Sequence, residues 1–120
     1  MNWSKTFQVL FVVLMLVVMA LSLAPIDHPE FSPNDKVNHL IAYSMLTLCG
    51  ISGFRKWLLM AMIVFCWGVL IEFLQGMTTY RVLSWYDVLA NGTGVILGCL
   101  LAWLVGQLFA RTQSSAGAGN

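Results

Sequence analysis

Apolar residues gather in four long runs, Phe7 to Ala24, Leu40 to Phe54, Trp57 to Leu74 and Val88 to Phe109, with short polar stretches between them. Crossing a bilayer as a helix takes about 20 mostly apolar residues, with a lower bound of about 17. The first, third and fourth runs meet that length by themselves. The second meets it if its helix starts near Asp35, on a polar cluster. The pattern predicts an all-α chain, an integral membrane four-helix bundle with very little outside the lipid.

Composition agrees with that pattern. The chain is 59% hydrophobic and 9% charged, where a soluble domain carries about 25% charged residues. The first run imitates a signal peptide, with Lys5 before it and the small residues Ser22 and Ala24 at its end. Its length, and Pro25 directly after the would-be cut, favour a retained helix. One domain is expected over residues 1–110, followed by a Gly/Ser/Ala-rich tail, 111–120, read as disordered.

Charge sets the expected orientation. With the N-terminus inside, the cytoplasmic ends carry Lys5, Arg55, Lys56 and Arg111, and the outer side carries Lys36 and Arg81. Four against two places both termini in the cytoplasm. The acids Asp27, Glu30, Asp35, Glu72 and Asp87 all fall on or near the outer side, so the polar chemistry faces outward. A net charge of +1 and the lack of any nucleic-acid motif argue against a polyanion partner. Cys49, Cys66 and Cys99 lie in apolar runs without CxxC spacing and read as buried small hydrophobes. No cofactor motif and no metal-ligand spacing is present.

Two helices open alike. "SPNDKVNH" offers Ser32 as a cap, Pro33 in the first turn and Asp35 three residues after the serine. "SWYDVLAN" repeats the relation with Ser84 and Asp87. Both fit a capping box in which the acid reaches back to a free backbone N–H. Four residues further on stand His39 and Asn91, on the same faces as their acids. Tyr43 continues the His39 face one turn deeper, and Lys36 joins from above. Along the fourth helix Ala90, Gly94, Gly98, Ala102 and Gly106 form a small-residue ridge suited to close helix approach. The Gly94/Gly98 part of it offers a surface for a second copy of the chain.

Glu72 is the residue that capping does not explain. It sits near the end of its own helix, where the dipole disfavours an anion, after an uncharged stretch from Leu58 to Ile71. It must face the interior, pair with a cation such as Lys36 or Arg81, or take up a proton. Gln75 shares its face, and Gly76 makes a natural stop. Arg81 lies among Tyr80, Trp85 and Tyr86, aromatics suited to the headgroup level.

Taken in order, "DKVNHLIAY", "EFLQ", "YRVLSWYDVLAN" and the Gly-rich helix after them resemble the VanZ-like family of small bacterial membrane proteins, from about Asp35 to Gly98. The resemblance implies a multi-pass protein of the bacterial inner membrane. It also implies a role in the cell envelope, the family's name coming from a member linked to low-level teicoplanin resistance.

Three functions follow. The leading one is binding of a membrane lipid headgroup or a lipid-linked peptidoglycan precursor by Lys36, His39, Tyr43, Glu72, Gln75, Arg81, Asp87 and Asn91. The second is a membrane-embedded hydrolase or transferase using His39, Glu72 and Asp35 as acid and base, although no nucleophile motif is present. The third is a structural polar network whose partners bind elsewhere. A metal held by His39, Glu72 and Asp87 would have to draw one histidine and two acids from three different helices.

Overall fold

The computed structural model describes residues 2–24, 33–79 and 84–118, apart from the side chains of 33–35 and 114–118. Ser32 and Arg81 lie outside the described residues, and so does the side chain of Asp35. Four helices make up the described chain: α1 (Trp3–Leu23), α2 (Pro33–Phe54), α3 (Trp57–Gly76) and α4 (Trp85–Ala118). Each is long and apolar enough to cross a membrane. At about 1.5 Å per residue, α1 to α3 reach roughly 30–33 Å, the thickness of a hydrocarbon core.

Local chemistry sets the ends. The Asn2 side chain accepts from the Lys5 N–H and starts α1. Helix α1 stops at Ala24 because Pro25 follows it. Only Arg55 and Lys56 connect α2 to α3. Arg55 turns the chain in the left-handed region, φ 57°, the one non-glycine among the described residues to do so. That conformation costs about 1–2 kcal/mol for a residue with a Cβ. The Gly53 carbonyl, left over at the end of α2, accepts from Ser4 Oγ at 2.8 Å and from Gln8 Nε2 at 3.0 Å. Side chains of α1 thus cap α2.

The helices alternate in direction. The start of α1, the α2–α3 connection and the later part of α4 meet at one end. The end of α1 meets the end of α3 at the other, and the starts of α2 and α4 meet there too. Helices α2 and α3 each pack against all the others, whereas among the described residues the backbones of α1 and α4 do not approach closely. The section is a rhombus with α2 and α3 on its short diagonal. Tyr43, Leu46, Val64 and Ile71 fill the middle, each 1% exposed or less. Val9, Val13, Leu16 and Leu21 of α1 and Ile96, Leu100 and Trp103 of α4 point outward, as lipid-facing residues do.

Helix α2 packs closest against α4. A Cβ added to Gly94 would come within 2.9 Å of the Leu40 carbonyl oxygen, and one on Gly98 within 2.7 Å of the Ser44 carbonyl oxygen. The surface expected to take a second copy is therefore filled by α2 of the same chain. The ridge ends at Ala102, because a Cβ on Gly106 meets nothing within 4 Å.

Two other expectations change. Helix α4 runs on to Ala118 where a disordered tail was expected from 111. No proline interrupts it, and a helix already nucleated adds residues such as Arg111 and Gln113 at little cost. The three cysteines are free, but Cys66 is exposed on the outer surface while Cys49 is buried. An all-apolar helix does not tell its lipid face from its core face by composition.

Candidate functional site

The two helices that open alike run parallel, side by side. Their facing residues lie 50 to 52 positions apart in sequence. His39 Nδ1 lies 2.9 Å from Asn91 Oδ1, 52 residues on. Lys36 Nζ pairs with Asp87 Oδ1, 51 residues on. Ser44 Oγ donates to the Gly94 carbonyl oxygen at 3.0 Å, 50 residues on. The repeated grammar therefore sets His39 opposite its counterpart Asn91, and polar pairs link α2 to α4 turn after turn.

Glu72 closes the arrangement from α3. Its Oε1 accepts from the backbone N–H of Ser84 at 2.6 Å. Ser84 directly precedes α4, and its own carbonyl accepts the first helical bond from Val88. The capping task expected of Asp87 is done by an acid from another helix, which leaves Asp87 to Lys36. This also explains the position of Glu72. The carboxylate disfavoured by the end of α3 lies at the start of α4, where free N–H groups and the dipole favour an anion. Glu72 is 1% exposed.

Gln75, one turn beyond Glu72 on α3, reaches toward α1. Its Nε2 donates to the Ser22 carbonyl oxygen at 2.7 Å, so it satisfies the end of α1 and ties α3 to it.

Tyr43 lies one turn below His39. The two rings are almost parallel, 4° apart in plane, with centroids 6.2 Å apart. Gly68 of α3 makes room for the Tyr43 ring and the Asn91 amide, since a Cβ there would meet Tyr43 Cε1 and Asn91 Nδ2 at 2.9 Å. The Tyr43 ring is 1% exposed, and its hydroxyl has no hydrogen-bond partner among the described residues. With Asn91 Oδ1 as the acceptor, His39 Nδ1 carries the proton. Among the described residues no three His, Cys, Asp or Glu side chains stand close enough to share a metal ion, so His39, Glu72 and Asp87 do not form the metal site considered above.

Sequence reasoning missed Ser44 and Gly68. Ser44 is buried and donates both to Leu40 O in its own helix, at 2.7 Å, and to Gly94 O in α4. Its signal was a hydroxyl beside Tyr43 inside an apolar run. The signal for Gly68 was a missing side chain one turn before Glu72.

The fold and its polar end define a multi-pass helical membrane protein with a polar assembly at one end of the bundle. The chain belongs to the VanZ/LLP1 family, whose profile matches residues 5–106. It is also 32% identical over 115 residues to an uncharacterized protein of Schizosaccharomyces pombe, covering 91% of this chain and 67% of that relative. No solved structure matches the chain.

Proposed function

We propose that the polar end binds the headgroup of an envelope lipid or of a lipid-linked peptidoglycan precursor, on the membrane face away from the cytosol. The observation that carries this reading is which half of each polar pair reaches the surface. Lys36 is 28% exposed against 8% for Asp87. His39 is half-buried above a fully buried Asn91. The acid and the amide sit inside and orient their partners, while the cation and the imidazole are presented outward. An edge of this kind suits the acceptor oxygens of phosphate and sugar. Asp87 offsets the charge of Lys36, which favours a zwitterionic or sugar-bearing headgroup over a bare phosphate.

The count of basic residues supports the outward placement. The bacterial inner membrane is the setting the family resemblance suggests. The fission-yeast relative makes headgroup chemistry, and not one bacterial lipid, the property to test. Teicoplanin tolerance is the phenotype to score beside it.

A second reading rests on the bonds that close the assembly. Glu72 to Ser84 and Gln75 to Ser22 join helix ends to one another, as a purely structural network would. Lipids retained on purification separate the two readings. We expect Lys36→Gln and His39→Ala to lower one enriched headgroup class about tenfold, as loss of a charge-assisted hydrogen bond does. Thr93→Ala, on an exposed hydroxyl bonded to its own helix, serves as the control. Folded Lys36→Gln and His39→Ala proteins with the wild-type lipid complement would sink the binding reading and leave the network.

A further inference from the structure

At the end opposite the polar assembly, a cavity of about 820 Å³ opens between α1 and α4, whose backbones do not approach closely among the described residues. Phe7 of α1, Ile51 of α2 and Val105, Gly106 and Phe109 of α4 line it, with Arg55 beside them. Ligand pockets commonly measure about 300–1,000 Å³. Gly106 keeps this one open. The same ridge that brings Gly94 and Gly98 against α2 here leaves open space around the missing side chain.

The charge around the cavity has one sign. Arg55 lines it, and Lys5, Lys56 and Arg111 belong to the same end. None of the five acids of the chain lies in the start of α1, the α2–α3 connection or the later part of α4. Arg55 also holds its left-handed backbone where glycine would adopt it without strain. Strain kept at a residue whose side chain lines a cavity points to use of that side chain. A second copy of the chain would bring the same four cations against these and be repelled.

We infer that this cleft is a site for an anionic phospholipid, one acyl chain lying against Phe7, Ile51, Val105 and Phe109 and the phosphate on Arg55. This reading does not depend on the one proposed for the polar end. By the distribution of basic residues the lipid comes from the cytosolic leaflet, where anionic headgroups gather.

Native mass spectrometry of the full chain, supplied with phosphatidylglycerol or phosphatidylcholine, tests this. Wild type and Arg55→Lys are expected to prefer phosphatidylglycerol. Arg55→Gly relieves the backbone, so it should fold at least as well while losing that preference by roughly five- to tenfold. Arg55→Gln removes the charge without freeing the backbone and should lose it equally. Gly106→Leu, placed in open space, should weaken both lipids. Equal binding of the two lipids by wild type, or unchanged binding in Arg55→Gln and Gly106→Leu, would overturn the inference. A wild-type dimer that Gly106→Leu dissolves would overturn it in favour of a second copy.

Discussion

A single carboxylate shows how residue-level chemistry shapes this protein. Read within its own helix, Glu72 stands at the end that repels it. Read across the bundle, it caps the next helix through the Ser84 N–H. Glu72→Gln keeps an oxygen for that bond and gives up the charge, a loss of about 0.3–1 kcal/mol for a dipole interaction and up to ~2 kcal/mol when partly buried. Glu72→Leu also leaves the Ser84 N–H without its acceptor, which adds about 1–3 kcal/mol. Unfolding titrations in detergent should rank wild type above Glu72→Gln, and Glu72→Gln above Glu72→Leu. Equal stability of the two variants would remove the capping role. The anomaly of Glu72 was legible in the sequence, because dipole sign and chain position are local facts. Its bond to Ser84 was not, because a backbone N–H bears no trace of what will face it. The exchange by which Asp87 leaves its box to pair with Lys36 follows from that hidden bond.

At the scale of elements, the two similar helix openings were readable, and so was the small-residue ridge. Their meaning lay in register. Parallel packing of α2 and α4 sets His39 against Asn91 and Ser44 against Gly94, and sequence alone does not say which pair of four apolar helices will be neighbours. The ridge shows the same limit. Gly98 and Gly106 look equivalent along the chain, yet one lies against backbone and the other against open space. Gly98→Ala should therefore destabilise by about 1–3 kcal/mol, the usual cost of overpacking. Gly106→Ala should be neutral or stabilising by up to about 1 kcal/mol, from helix propensity. Thermal unfolding of the two variants side by side checks this. Equal effects would mean that α2 and α4 do not approach as described.

Across the whole molecule, the number of helices, their order and the gathering of polar groups at one end were all present in the spacing of apolar runs. The rhombic section was not, since it depends on which helices touch. That section gives the protein two different ends. One holds Glu72, Asp87 and Asn91 beneath Lys36 and His39; the other has basic residues as its only charges, around a mostly apolar cleft. The central claim is that the first end holds a polar headgroup, and a photoreactive residue at Val37 tests it most directly. Val37 follows Lys36 on α2 and is 48% exposed. Irradiation in native membranes and mass spectrometry of the adducts would report what lies there. The account predicts adducts dominated by one headgroup class, and loss of that dominance when Lys36→Gln and His39→Ala are combined. Adducts that match the bulk lipid composition in both proteins would contradict it.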